Sequence, residues 1–155
     1  MDWRCGRQVR RAASFSTALL LVGCGITSPA PLMVEVALSA SEVTEAEPVE
    51  VIVTATNRSD VAVDVDSHGC PPVFEVVRAA RPGVVGPESV TCIAVALPPT
   101  RLEPGEDITF GYEWAGLGLE SELLRAGEYR VRGWTRVARG DRVYSDYRSV
   151  RVTHD

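Results

Sequence analysis

Apolar and polar residues alternate with a period of two along most of the chain beyond residue 33. This alternation predicts β-strands, because successive side chains of a strand point to opposite faces of a sheet. Turn-forming residues interrupt it about every 8 to 12 residues, a spacing typical of sandwiches and barrels. The predicted strands cover residues 34–40, 49–55, 61–65, 73–78, 89–97, 107–114, 129–137 and 142–152.

Seven or eight strands with almost no helix predict an all-β fold. Two antiparallel sheets packed face to face bury such strands best, so we expect an immunoglobulin-like β-sandwich. A hairpin is expected across residues 57–60, and a second one joins the last two strands. One helical turn is expected at residues 119–124, after a glycine-containing turn.

The strand at 107–114 has the clearest pattern, with aromatic residues on one face and polar residues on the other. We expect those aromatic residues in the core, because each can bury about 150 Å² or more. The aromatic residues are Phe110, Tyr112 and Trp114, and Ile108 shares their face.

The penultimate strand carries two further candidates. Tyr129 follows a glycine turn, the position of a tyrosine corner, so its hydroxyl is expected to bond the backbone within residues 123–125. Arg130, Arg132 and Arg136 share one face of this strand, with Trp134 between them. That face is either a solvated surface, on which arginine stems shield the indole, or a basic recognition strip.

Residues 1–23 have the pattern of a secretory signal peptide. Four arginines precede an uncharged run from Ala12 to Val22. That run is shorter than the roughly 20 apolar residues needed to span a bilayer, so a permanent transmembrane helix is not expected. It ends in Leu21-Val22-Gly23-Cys24, which resembles the lipobox of bacterial lipoproteins. The alternatives are an ordinary signal peptide with an incidental cysteine and a buried N-terminal helix.

The lipobox resemblance implies that Cys24 is acylated and becomes the mature N-terminus. Two or more acyl chains hold a protein on a membrane stably. Residues 24–32 would then be the lipidated end and a tether, and residues 33–155 the sandwich domain. Gly25 stands where an aspartate commonly signals inner-membrane retention, which favours the periplasmic face of the outer membrane.

Charge limits the partners. The chain has a net charge of −5, and residues 1–23 contribute four arginines and one aspartate, which leaves −8 for the exported part. A strongly acidic protein is repelled by nucleic acid and by anionic lipid surfaces. We therefore expect no nucleic-acid partner, and attachment to the membrane through the lipid anchor.

Cys70 and Cys92 remain as a pair after export, and such a pair usually forms a disulfide. Closing a loop of roughly 20 residues would stabilise the fold by about 3 kcal/mol. A metal site that includes His68 is an alternative, but it lacks a paired C-x-x-C and a fourth ligand. A redox-active pair is a weaker alternative, because the two cysteines are far apart in sequence.

Two segments resemble a known family when read together. They are LEPGEDITFGYEW, from Leu102 to Trp114, and LLRAGEYRVRGWTRV, from Leu123 to Val137. They resemble the intracellular proteinase inhibitor (BsuPI-type) domains, as does the strand, asparagine turn and strand of residues 49–65. The resemblance covers most of residues 34–153 and implies the same sandwich fold.

No motif for nucleophilic, zinc or phosphate chemistry is present in the sequence. The carboxylate pairs Glu103 with Glu106 and Glu120 with Glu122 lie in predicted loops, where carboxylates are usually solvated. We expect a noncatalytic domain without a cofactor that binds a protein partner in the cell envelope. The alternative is a proteinase inhibitor that uses an exposed loop, either 81–87 or 97–105.

Overall fold

A computed structural model describes residues 31–66, 73–87, 98–137 and 140–154. These ranges contain no helix and eleven strands. The strands are β1 (Leu32–Leu38), β2 (Glu42–Val43), β3 (Val49–Asn57), β4 (Val63–Val65), β5 (Phe74–Arg78), β6 (Val84–Gly86), β7 (Thr100–Leu102), β8 (Asp107–Trp114), β9 (Gly127–Arg136), β10 (Arg142–Tyr144) and β11 (Arg148–Val152).

The strands form an all-β sandwich, which confirms the predicted fold class. One sheet has the order β1-β3-β8, and the larger one has the order β2-β11-β9-β5-β6, with β10 beside β9. A third, two-stranded sheet consists of β4 and β7. The pair of β2 and β11 is parallel, and the pairs within the first sheet and around β9 are antiparallel.

The main core lies between the two larger sheets, where the alternating apolar faces meet. β3 buries every second residue, as the sequence pattern predicts. Phe74 of β5 and Tyr112 of β8 bring the sheets together, with ring centroids 6.0 Å apart. Burial raises the pKa of the Tyr112 hydroxyl. A smaller cluster of Leu32, Val63, Val65 and Leu102 fills one end of the sandwich.

β9 lies close to the opposite sheet at Gly133. A Cβ atom at this residue would lie 2.7 and 2.8 Å from the two γ-carbons of Val53, and Val53 is fully buried. We expect Gly133→Ala to lower the free energy of unfolding by about 1 to 3 kcal/mol, as overpacking does. Urea denaturation measures this loss. Adding Val53→Ala should make the double variant less unstable than the sum of the two single losses, and strict additivity would contradict this contact.

The hairpin predicted across residues 57–60 is wrong. β3 pairs with β1 and β8, whereas β4 leaves that sheet and pairs with β7. The buried side chain of Asn57 explains the change of direction, because its Nδ2 donates to the carbonyl oxygens of Val61 and Leu102 at 2.8 and 3.0 Å. The strand predicted at 61–65 consequently starts at Val63, and Val61 is 62% exposed.

The helical turn predicted at residues 119–124 is also wrong. Leu117 and Leu123 form an isolated antiparallel bridge, and the Gly118 amide donates to the Glu122 carbonyl oxygen at 2.7 Å. Ser121 has a φ of 63°, in the left-handed region, which a right-handed helix cannot include. The segment is therefore a tight loop.

The last hairpin is present, but its second strand is interrupted. β10 and β11 both pair with β9. Between them, the Ser145 amide donates to the Gly133 carbonyl oxygen, and the Gly133 amide donates to the Ser145 hydroxyl, each at 2.9 Å. The strand predicted at residues 89–97 lies outside the described residues.

Candidate binding surface

Guanidinium groups and aromatic rings alternate on the outer face of the larger sheet. We call this surface the arginine–aromatic ladder. It consists of Arg130, Arg132, Trp134, Arg142, Tyr144 and Tyr147.

The period of two in β9 creates the ladder. Val131, Gly133 and Thr135 are buried, so the residues between them point outward. The pairing register of β9 with β10 adds Tyr144 to the ladder, because this residue lies directly opposite Trp134. Residues directly opposite on adjacent strands lie close enough for their side chains to interact.

Each guanidinium of the ladder lies over at least one ring. The Cζ atom of Arg142 is 3.9 Å from the ring centroid of Trp134, and that of Arg132 is 4.0 Å from the centroid of Tyr144. Tyr147 lies between two arginines, 5.0 Å from Arg132 and 5.2 Å from Arg130. All four distances are within the ~6 Å range of cation–π attraction, which contributes about 0.5 to 1 kcal/mol at exposed sites.

An ion pair fixes the middle of the ladder. Nε and Nη2 of Arg132 both lie 2.5 Å from Oε1 of Glu75. The two residues are opposite each other on β9 and β5, and the Glu75 side chain is only 10% exposed. The pair therefore holds the Arg132 guanidinium in place against the Tyr144 ring.

The two other arginines of the ladder keep donors available. Within the described part of the chain, neither Arg130 nor Arg142 has a carboxylate at ion-pair distance. The contact of Arg130 Nη2 with the Ala79 carbonyl oxygen is long, at 3.4 Å. Arg136 differs from them, because it faces Asp66 at 3.9 Å. The two ends of the ladder thus present guanidinium groups to solvent.

Tyr129 fixes the start of β9 beneath this surface. Its ring is only 1% exposed, and its hydroxyl donates to the carbonyl oxygen of Arg125 at 2.8 Å. This is the hydrogen bond that the tyrosine-corner interpretation requires. Arg78 Nη2 also approaches the hydroxyl, at 3.4 Å.

The carboxylates of Glu106 and Glu122, each a member of a pair noted in the sequence, accept hydrogen bonds from backbone amides within their own loops. Oε2 of Glu106 accepts a hydrogen bond from the Glu103 amide at 2.8 Å. Oε2 of Glu122 accepts one from the Glu120 amide at the same distance. Each pair thus stabilises its own loop.

The two loops proposed for inhibition differ in structure. The loop at 81–87 contains β6, which pairs with β5 and leaves an exposed tip. The described part of the other loop, 98–105, is held at its middle and at its end. There, β7 pairs with β4, and the Gly105 amide donates to the Asn57 carbonyl oxygen at 2.9 Å.

Cys24, Cys70, Cys92 and His68 lie outside the described residues. His154 is described, and its Nε2 lies 2.9 Å from the Leu124 carbonyl oxygen. Across the described ranges, no group of three or more histidine, cysteine, aspartate or glutamate residues is arranged to hold a metal ion. Nor do those ranges include a helix long and apolar enough to cross a membrane.

No protein-family model and no curated protein matches the chain. Among solved structures, a β-glucosidase from Erythrobacter marinus is similar over 79% of this chain and 15% of its own, with a TM-score of 0.44 and 12% identity. A Listeria innocua β-glucosidase in complex with gluconolactone is similar over 78% of this chain and 16% of its own, with a TM-score of 0.39 and 16% identity.

The chain thus spans 15% and 16% of the lengths of these two enzymes.

Sequence reasoning found only part of the ladder. It placed Arg130, Arg132 and Trp134 on one face but missed Arg142 and both tyrosines, and it missed Glu75, which holds Arg132 in place. The missing signal is register, because Glu75 and Arg132 meet across 57 residues of sequence. The repeated tyrosine in Arg142-Val143-Tyr144-Ser145-Asp146-Tyr147 is the one local hint.

Proposed function

We propose that this chain is an exported, lipid-anchored protein of the bacterial envelope whose β-sandwich binds another protein through the arginine–aromatic ladder. The observation that carries the proposal is the ladder itself, an exposed surface built from arginine, tyrosine and tryptophan. These three residue types dominate the binding energy of protein interfaces. Tyr144 and Tyr147 are 39% and 38% exposed, an exposure that a bound partner would cover.

Contacts within the chain also hold the middle of the ladder in place without a partner. Arg132 is fixed by Glu75, and each ring supports a guanidinium. Side chains that are already ordered lose less conformational entropy on binding. A preformed surface of this kind therefore favours specific recognition.

The chemistry of the ladder favours binding over catalysis. Guanidinium groups remain protonated in proteins and act only as hydrogen-bond donors. The described surface supplies stacking and donation, which recognise a partner, but no paired nucleophile and base. We therefore propose a noncatalytic role without a cofactor.

The proposed attachment to the membrane is tested by a substitution at Cys24. Replacing Cys24 by serine removes the thiol that would carry the lipid, so the protein should leave the membrane fraction or retain its signal peptide. Cell fractionation and intact-mass measurement detect both outcomes. Unchanged mass together with unchanged membrane retention would contradict the lipoprotein assignment.

Protein binding is tested by the size of the native complex. Wild-type protein, extracted from its own envelope with a mild detergent, should elute from a sizing column with a partner. The double variant Arg130→Gln, Arg142→Gln should elute at the size of the lone chain. Arg58→Gln, which removes one exposed arginine outside the ladder, is the control and should retain the complex. Equal elution of wild type and the double variant would contradict binding through the ladder.

A second candidate function, proteinase inhibition, is favoured by one feature. The turn that joins β5 and β6 is exposed, and next to it Val84, the first residue of β6, is 44% exposed. A short paired hairpin can enter a cleft without a large ordering cost. Inhibition of a protease panel by the wild type, lost in Val84→Asp, would support this role. Equal inhibition by both would exclude the tip.

A further inference from the structure

The ladder has a charge opposite to that of the exported chain as a whole. It carries three arginines, and Glu75 offsets one of them. The chain beyond residue 23 has a net charge of −8. A negatively charged partner is therefore repelled by most of the protein and attracted to this face, which would orient its approach.

Arg142 contacts an aromatic ring and has no carboxylate at ion-pair distance among the described residues. In Arg142, the Cζ atom lies 3.9 Å from the Trp134 ring centroid, so the ring covers one side of the group. The N–H donors of arginine lie in its own plane and form a fork that fits both oxygens of a carboxylate. An arginine held on a ring in this way can bind a carboxylate through two parallel hydrogen bonds.

The spacing of the two open arginines matches an extended peptide. Arg142 pairs with Arg136, which is six residues along β9 from Arg130. At about 3.3 Å per residue, their Cα positions are separated by roughly 20 Å along the strand direction. Their guanidinium groups lie closer together than that, over the rings of Tyr147 and Trp134. A peptide of up to about six extended residues covers this length and contacts the rings between the two arginines.

We propose that the partner binds the ladder through an acidic, extended peptide segment whose carboxylates are held by Arg130 and Arg142. This inference rests on the proposed function, because it names the chemistry of the partner at the same surface. The aromatic rings would contact the apolar parts of the segment between its carboxylates. Arg132, which is paired with Glu75, would contribute mainly through its position between the two rings.

The observations favour a peptide over a polyanionic saccharide. A densely charged polymer extends beyond the ladder and meets the net negative charge of the remaining chain, which repels it. The ladder offers two open guanidinium groups separated by rings, rather than a continuous row of cations. Sparse carboxylates on a chain with some apolar surface fit this arrangement.

The inference is tested with a defined probe. A fluorescently labelled peptide of alternating glutamate and threonine is titrated with the full-length lipidated protein in detergent, at low and at high salt. The matched peptide has glutamine in place of glutamate. We expect the glutamate peptide to bind at least about tenfold more tightly than the glutamine peptide, because charge-assisted hydrogen bonds are stronger than neutral ones. Added salt should weaken its binding.

Variants locate the contact. Arg130→Gln with Arg142→Gln should lose at least about tenfold in affinity for the glutamate peptide, whereas Arg58→Gln should change it by less than about twofold. Arg142→Lys keeps the charge but removes the fork, and it should bind more weakly than wild type. Circular dichroism of each variant checks that the fold is retained.

Three results would overturn the inference. They are equal binding of the two peptides, equal binding by wild type and the double variant, and binding of heparin in preference to the glutamate peptide. If any of these occurs while the native complex still depends on the ladder, the proposed function stands without this partner chemistry. If the native complex is also absent, both proposals fail.

Discussion

Replacing Tyr129 by alanine is expected to lower the free energy of unfolding by about 3 to 5 kcal/mol, the range for removing a buried aromatic side chain. The ring is 1% exposed and belongs to the main core. Domains of this kind are stable by only about 5 to 15 kcal/mol, so the loss is a large fraction of the total. Chemical denaturation of the purified protein measures the shift in midpoint.

Phenylalanine at the same position separates the contribution of the hydroxyl to stability from that of the ring. Tyr129→Phe keeps the packing of the ring and removes the hydroxyl, which donates to the Arg125 carbonyl oxygen and accepts a long contact from Arg78 Nη2 at 3.4 Å. We expect a loss of about 0.5 to 1.5 kcal/mol, the net contribution of a typical hydrogen bond, because this bond is only partly buried. An unshifted midpoint in both variants would show that Tyr129 is not a structural corner and would reopen the fold assignment.

Asn57→Asp is expected to cost about 3 to 5 kcal/mol, similar to the penalty for an unpaired buried charge. Asn57 is fully buried at the end of β3. Its Oδ1 accepts hydrogen bonds from the amide and the hydroxyl of Ser59, at 2.9 and 2.7 Å. Its Nδ2 donates to two carbonyl oxygens, so an aspartate would place a negative oxygen against both of them.

The pH dependence of this variant identifies the cause. A carboxyl group facing two carbonyl oxygens should have a raised pKa in the folded state, so its protonation favours folding. The stability of Asn57→Asp relative to wild type should therefore recover as the pH falls through that raised pKa. Asp60→Asn makes the reverse change at a nearby exposed residue and should shift the free energy of unfolding by less than about 0.5 kcal/mol. A loss that does not depend on pH would contradict this explanation.

The sequence was sufficient where structure depends on local pattern. The strands at 107–114 and 129–137 follow from strict alternation, and their observed bounds differ from the expected ones by two residues or fewer. The hydrogen-bond partner of the Tyr129 hydroxyl could also be predicted from the sequence, because the two residues are only four apart. In both cases the information lies within a few residues.

The sequence was insufficient to predict structure that depends on contacts between residues far apart in the chain. The hairpin expected at 57–60 fails because Asn57 bonds the carbonyl oxygen of Leu102, 45 residues away. The ladder depends in the same way on the register that brings Glu75, Tyr144 and Tyr147 around Arg132. Alternation predicts which residues face outward, but it does not predict which strands become neighbours.

The central claim, that the arginine–aromatic ladder is the surface that contacts a partner protein, is tested most directly by site-specific photo-crosslinking in the native envelope. A photo-reactive phenylalanine analogue is placed at Tyr144 or Tyr147, where it keeps an aromatic ring. Two exposed residues outside the ladder, Val61 and Leu119, are the control positions. We predict adducts with one protein species of constant mass from both ladder positions and none of that species from the controls. Adducts that form equally at all four positions, or only at the controls, would contradict the claim.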